Sequence, residues 1–257
     1  MSRRAQGWLP RQHGAWAMLV VPFVVGVVLA VRAGTAGAHL VPLFAFWMLG
    51  YFAFHAASGW LKAPAARRGP WVKPLVTYAA ASALCGLGTL ALGGWAMAGW
   101  VPFYLPLLLP ALWLASRRRE RDTAGGGLTV AAASAMTLVA RYPTPADLAA
   151  DPGAWTPLVV SGLVFAYFFG TVLYVKTNIR ERGSRAFHAA SVGWHAAATL
   201  ACVALTVALA WPWWWAVFFA VTTARAALVP SRHWPARRIG VVESVLCVVL
   251  VLAFVAW

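Results

Sequence analysis

The residues best suited to chemistry lie in one stretch, FGTVLYVKTNIRERGSRAFHAASVGWH, which covers residues 169–195. It joins two apolar segments through a short region rich in cationic, amide and hydroxyl groups. Lys176 and Arg180 are four residues apart, so on a continuing helix they share a face and repel unless an anion or carboxylate joins them. Thr177 and Asn178 lie between them and can donate further hydrogen bonds.

The charge balance of this stretch favours an anionic partner. Arg182 and Arg185 add positive charge, and Glu181 is the carboxylate that opposes them. Guanidinium groups can hold a phosphate or carboxylate directly, without a metal, because they offer two parallel N–H donors. The alternative is that the charges serve membrane topology and contact anionic lipid head groups, as short cytoplasmic loops generally do.

Histidines add candidate acids and bases. His188 and His195 are seven residues apart and are predicted to line one face of a helix. His195 is expected about two turns inside the bilayer, where an ionisable group usually faces the bundle interior and marks a functional site. A neutral imidazole bonded to a neighbouring helix is the alternative. His55 and His195 are the candidate catalytic residues, and His13 and Trp16 are candidate ligand contacts at the same membrane side.

The elements that must position these residues are transmembrane helices. The chain is 62% hydrophobic and 11% charged, whereas about a quarter of the residues of a soluble protein are charged. Apolar segments of roughly 20 residues recur throughout, which is the length that crosses a bilayer core. The net charge of +15 is divided into short clusters between these segments. That pattern indicates the lipid bilayer as partner and argues against nucleic acid.

We predict nine transmembrane helices in a single all-α domain over residues 1–257. The chain has 21 Lys and Arg residues. In this topology 19 of them fall on one side of the membrane, and Arg32 and Arg141 fall on the other. The N-terminus is therefore predicted to be cytoplasmic and the C-terminus outside. The predicted spans are 13–32, 39–61, 74–93, 100–116, 127–141, 156–175, 188–210, 213–229 and 239–257.

The remaining ionisable groups predict a structural pair and no metal site. Glu243 is the one carboxylate inside a predicted span, and it is expected to pair with Arg225 or Arg238 because an unpaired charge in a membrane is costly. The three cysteines are isolated within apolar segments, and neither a CxxC nor an HxxxH spacing occurs near the candidate residues. No cofactor is identified by these patterns.

Three motifs resemble the YwiC-like family of bacterial membrane proteins. They are HGAWAML at residues 13–19, followed by Pro22-Phe23, then KTNIRERG at residues 176–183, and RIG at residues 238–240, followed by Glu243. The likeness covers most of the chain. It implies a multi-pass protein of the bacterial plasma membrane and carries little information on activity.

The predicted architecture also resembles the UbiA-type intramembrane prenyltransferases, which form a nine-helix bundle. In that superfamily the loops after spans two and six each carry an Asp-rich motif that holds magnesium for an isoprenoid diphosphate. Here residues 54–60, FHAASGW, contain no carboxylate, and residues 176–181, KTNIRE, contain one. If the protein is an enzyme, the resemblance therefore implies a divergent transferase without the usual Asp/magnesium site.

These observations predict a protein that binds an amphipathic lipid, isoprenoid-like or quinone-like, in a cavity open to the cytoplasmic side. The basic loop after span six would hold the polar or anionic head group. Two other functions remain open, a transporter or permease and a non-catalytic membrane assembly factor.

Overall fold

The structure is a computed structural model that describes residues 7–10 and 14–257. Its described residues form helices and connecting turns. The ten α-helices are α1 (Gly14–Arg32), α2 (Leu40–Lys62), α3 (Gly69–Gly93), α4 (Val101–Ser116), α5 (Thr123–Arg141), α6 (Pro145–Ala150), α7 (Trp155–Ile179), α8 (Arg185–Leu209), α9 (Trp214–Leu228) and α10 (Ala236–Val255). The predicted all-α class is confirmed.

Eight helical segments in the described part of the chain are long and apolar enough to cross a membrane. They correspond to eight of the nine predicted spans, and the multi-pass character of the chain is confirmed. The remaining predicted span, 213–229, coincides with α9, which has only 15 residues. A helix of this length is about 22 Å long, shorter than the ~30 Å hydrocarbon core. Helix α9, the eighth predicted span, is therefore too short to cross that core by itself.

The structure also moves several predicted boundaries, and the end of span six matters most for the site. The polar loop was expected to begin at Lys176, but α7 continues to Ile179. The side chains of Thr177 and Asn178 donate to the carbonyl oxygens of Leu173 and Tyr174, four residues earlier, at 2.9 and 2.8 Å. Hydroxyl and amide groups are compatible with a helix when they bond back to it in this way.

The first compact unit ends at Leu158. Within it α2 packs along α3, and α1 and α4 pack against α5. Helices α1 and α5 approach closely because Gly26 has no side chain: a Cβ atom there would lie 2.5 Å from the carbonyl oxygen of Thr137. The Thr137 hydroxyl, fully buried, donates to the carbonyl oxygen of Pro22 on α1. Small residues and hydroxyl contacts are the usual means of helix packing in membranes.

The second compact unit is Val159–Trp257 and contains most of α7 together with α8, α9 and α10. Helix α8 packs against α9, and α7 approaches α8 at Gly170, where a Cβ atom would lie 2.8 Å from His195 Nε2. The indole of Trp194 donates to the carbonyl oxygen of Ala166 at 2.9 Å and fixes the same pair of helices. Any side chain at position 170 would therefore collide with the His195 ring. The single domain remains a prediction.

Candidate functional site

The second unit holds a charged cluster inside its helices. The guanidinium of Arg225, on α9, pairs through Nη1 with Glu243 on α10. Its Nη2 lies 3.2 Å from Nε2 of His195 on α8. Arg225 and His195 are 7% and 1% exposed. Because charges removed from water require partners, these three side chains hold one another in place.

The contacts of His195 define its tautomer. Its Nδ1 lies 2.7 Å from the carbonyl oxygen of Ser191, which can only accept, so Nδ1 carries the hydrogen. Arginine can only donate, so Nε2 accepts from Arg225. The imidazole is therefore neutral with both nitrogens engaged. It can act as a base only after Arg225 moves, and its catalytic role remains a prediction.

The carboxylate of Glu243 has a second set of donors on α7. Thr171 donates to its Oε2 at 3.0 Å, and the hydroxyl of Tyr167 lies 3.5 Å from the same oxygen. The sulfur of Cys247, one turn further along α10, is 3.5 Å from the Tyr167 hydroxyl. We call Arg225, Glu243, His195, Thr171 and Tyr167 the intramembrane network. It links all four helices of the second unit.

Tyr174 and Ser191 lie next to this network. The ring of Tyr174 is 4.2 Å from the guanidinium carbon of Arg225, a cation–π contact. Ser191 is one turn before His195 on α8 and provides the carbonyl that His195 binds. Tyr174 and Ser191 are both fully buried. The Tyr174 and Ser191 hydroxyls and Arg225 Nε have no hydrogen-bond partner among the described residues.

The turn between α7 and α8 carries the predicted basic site. Gly183 adopts a positive φ of 88°, and Ser184 caps α8 by accepting from the backbone N–H of Phe187. The Lys176 ammonium is 5.1 Å from the ring of Phe187, across the turn. Arg182 Nε donates to the carbonyl oxygen of Asn178 at 2.9 Å, closing the end of α7. The turn is short and held by its own side chains.

The other predicted residues of this segment differ in exposure. Arg180 and Arg185 are exposed, and Glu181 is half-buried. Thr177 and Asn178 are buried, and the bonds to their own helix use the Thr177 hydroxyl and one Asn178 N–H. His188 Nε2 lies 3.2 Å from the carbonyl oxygen of Ala226 on α9. The arginines are thus the accessible part of the predicted ligand site.

The remaining predicted residues lie elsewhere. His55 is half-buried on α2, with its ring 6.0 Å from that of Trp71. Trp16, 37% exposed, contacts the ring of Phe52 edge-on at 5.5 Å. His13 lies outside the described residues. Arg238 stacks on Trp234 with its guanidinium carbon 3.9 Å from the ring centre, while Arg225 is the cation that pairs with Glu243.

A second arginine–carboxylate pair, in the first unit, was missed by the sequence reasoning. Arg141, at the end of α5, lies 3.5 Å from Asp151 and 4.3 Å from the ring of Tyr142. The Tyr142 hydroxyl donates to Asp151 Oδ2 at 2.6 Å, and the Gly153 N–H donates to Oδ1 at 2.7 Å. We call Arg141, Tyr142 and Asp151 the loop clamp. It joins the two ends of the connection that contains α6.

The clamp shifts two pKa values in opposite directions. The hydroxyl of Tyr142 and the backbone N–H of Gly153 lower the pKa of Asp151, with a further contribution from Arg141. Burial and the bond to Asp151 raise the pKa of Tyr142 to about 12. The carboxylate and the neutral phenol are therefore the favoured pair.

One pattern could have identified the α7 partners in advance. Tyr167, Thr171 and Tyr174 are spaced i, i+4 and i+7 on a largely apolar helix, which places them on one face. The pairing of that face with Arg225 could not be read from spacing. No group of three or more His, Cys, Asp or Glu residues that could hold a metal occurs among the described residues.

The fold and the buried charges define a polytopic α-helical membrane protein. The profile described as "YwiC-like protein" matches residues 9–141. The "Uncharacterized protein YwiC" of Bacillus subtilis (strain 168) is 31% identical over 248 residues, which cover 92% of this chain and 92% of the relative. The chain therefore belongs to the YwiC-like family. No solved structure shows a significant match, and the likeness to UbiA-type prenyltransferases remains a prediction.

Proposed function

We propose that this protein binds an amphipathic lipid, isoprenoid-like or quinone-like, whose anionic or polar head is held at the α7–α8 turn. One observation carries the proposal: Arg180, Arg182 and Arg185 are exposed around this turn, within ten residues of Lys176. A guanidinium binds phosphate or carboxylate oxygens through parallel N–H donors. The turn therefore offers several such donors to a head group at the end of two apolar helices.

The local backbone supports the same ligand chemistry. Helix α8 begins at Arg185, and the free N–H groups of a helix N-terminus favour negative charge. Glu181 is the carboxylate within the turn, and the arginines outnumber it. The turn is thus net positive at a point where apolar helices meet the polar region of a bilayer. An anionic head group would offset this charge, and a polar head group would accept hydrogen bonds from the same donors.

The test compares lipid retained after purification. We expect native mass spectrometry of the full chain to find a bound amphipathic molecule, and Lys176→Ala with Arg180→Ala to lose most of it. The matched control is Arg232→Ala with Arg237→Ala, which removes the same charge from exposed residues before and at the start of α10. Unchanged melting temperatures establish that both variants fold. Equal lipid occupancy in the two double variants contradicts the proposal.

A further inference from the structure

Three buried polar groups around Arg225 lack partners in the part of the chain that the structure describes. They are Nε of Arg225, the hydroxyl of Tyr174 and the hydroxyl of Ser191. Arg225 is 7% exposed, and the other two residues are fully buried. A buried donor without an acceptor is strongly unfavourable, so most such groups in proteins have a partner. Three such groups beside one arginine call for a common explanation.

Tyr174 and Ser191 lie toward the same end of the intramembrane network. The Tyr174 ring is 4.2 Å from the Arg225 guanidinium, and Tyr174 is one turn beyond Thr171 toward the end of α7. Ser191 is one turn before His195, toward the start of α8. Because a short turn joins the end of α7 to the start of α8, both displacements lead toward that turn. Thr171, which is one turn further from that turn than Tyr174, holds the carboxylate of Glu243.

The chemistry of the three groups selects their partner. Arginine can only donate, and both hydroxyls can donate, so the complementary group is an acceptor, preferably one with negative charge. The pair with Glu243 already offsets much of the charge of Arg225, so a divalent anion is disfavoured. The complete burial of Tyr174 and Ser191 restricts the size of the partner. The exposed arginines of the nearby turn attract anions toward this end of the helices.

We propose that Arg225, Tyr174 and Ser191 form a binding site for a small monovalent anion, a halide or a single carboxylate group. The site is separate from the arginines that hold the lipid head in the proposed function, and it rests on buried donors rather than on exposed charge. The anion accepts from Arg225 Nε and from the two hydroxyls. Glu243 and His195 keep the other two guanidinium nitrogens in place.

The test measures the thermal stability of the delipidated full chain in detergent at constant ionic strength. Sodium chloride and sodium formate are compared with sodium gluconate, whose anion is too large for a closed site. We expect chloride or formate to raise the melting temperature by about 3 °C in a saturable manner, because a ligand that binds only the folded state stabilises it. Tyr174→Phe, which keeps the ring on Arg225, and Ser191→Ala should each remove at least half of this rise.

The first unit provides matched controls. The hydroxyls of Tyr104 and Ser58 are also buried without a partner among the described residues. Tyr104→Phe and Ser58→Ala therefore remove the same atoms from buried positions outside the site. We expect both variants to keep the full response to chloride or formate.

Dodecanoate, which carries one carboxylate on an apolar tail, separates two sources of the anion. A response to chloride or formate supports a free anion. A response to dodecanoate alone, lost in Tyr174→Phe, supports the same site occupied by a lipid carboxylate. The absence of any response, or an equal response in all four variants, overturns the proposal and leaves the hydroxyls with internal water only. Lipid occupancy at the α7–α8 turn is measured separately, so each proposal can fail without the other.

Discussion

Two regions of the molecule use the same side-chain types, an arginine, a carboxylate and a tyrosine, in different settings. In the intramembrane network, Arg225 pairs with Glu243 and lies 4.2 Å from the ring of Tyr174. All three residues belong to helices of the second unit, and donors of Arg225 and Tyr174 lack partners among the described residues. Removing either charge there leaves the other in a medium with little water.

The loop clamp assembles the same chemistry at the ends of helices. Arg141 lies 3.5 Å from Asp151 and 4.3 Å from the ring of Tyr142. Asp151 accepts from the Tyr142 hydroxyl and from a backbone N–H, so both of its oxygens are satisfied. Thr35, Pro143 and Asp147 line an open cleft with the clamp residues. Water can replace a lost partner here.

Similar contacts in the network and in the clamp therefore need not have similar energies. In the network, the cost of desolvation makes each partner necessary to the other. In the clamp, water reaches the Asp151 side chain, which is 27% exposed, and reduces the value of its ion pair with Arg141. Of these two regions, the network is the one in which buried donors lack a partner among the described residues, and for that reason the anion site is proposed there. Four variants test this contrast, in order of decreasing expected effect.

The largest effect is expected for Arg225→Met. It leaves the Glu243 carboxylate buried without its cation, which costs roughly 3–5 kcal/mol of unfolding free energy. Denaturant-induced unfolding in detergent micelles measures the loss. The double variant Arg225→Met with Glu243→Met removes both charges and should recover most of the stability. A double variant no more stable than Arg225→Met would mean that the stranded charge is not the cause.

A smaller effect is expected for Thr171→Val, which keeps the shape of the side chain but removes its bond to Glu243. A hydrogen bond to a charged group contributes roughly 1.5–3 kcal/mol. The same unfolding measurement applies. Thr206→Val is the matched control, because the Thr206 hydroxyl donates only to the carbonyl of Cys202 on its own helix. Equal losses in the two variants would contradict the special role of the carboxylate.

The clamp should respond to acid. The pKa of Asp151 is lower in the folded protein than in the unfolded chain. The contribution of Asp151 to the stability of the fold is therefore fully present above about pH 4, near its unfolded pKa. It is lost as the pH falls through the lowered folded pKa. Melting temperatures between pH 6 and pH 3 should therefore fall less steeply in Asp151→Asn than in the wild type. Parallel curves would show that Asp151 does not couple stability to protonation.

The smallest effect is expected for Tyr142→Phe, at high pH. The folded pKa of Tyr142, raised to about 12, lies above the value of about 10 for an unfolded tyrosine. The contribution of Tyr142 to the stability of the fold is present below about pH 10 and is lost as the pH rises through the folded pKa. Unfolding rates between pH 9 and pH 11.5 should rise less in Tyr142→Phe than in the wild type. If Tyr104→Phe reduced the rise as much as Tyr142→Phe does, the effect would belong to tyrosines in general and not to the clamp.

Much of the fold could be predicted because its cause is local. A run of about 20 apolar residues must form a helix in a bilayer, since no other structure satisfies its backbone there. Prediction was weakest where polar groups adjust locally. Lys176, Thr177 and Asn178 were assigned to a loop, yet α7 continues through them because two of these side chains bond back to their own helix.

Three residues of the candidate site could be predicted from the sequence, but the way they contact one another could not. His195, Arg225 and Glu243 were each singled out because ionisable groups are rare in membrane spans. Sequence spacing could not show that Arg225 contacts both His195 and Glu243. These two residues are 30 and 18 positions away from it in the sequence. The loop clamp was missed altogether, because Arg141 and Asp151 resemble ordinary charges at the ends of helices.

The amino-acid sequence alone is enough to identify an all-α membrane protein of the YwiC-like family and to locate most of its helices. Helix formation in a bilayer depends on the length and polarity of one segment at a time. The pairing of the buried charges, the neutral tautomer of His195 and the unpartnered donors of Arg225, Tyr174 and Ser191 become visible only in three dimensions. Those features depend on which helix faces overlap, and packing between distant segments sets that overlap.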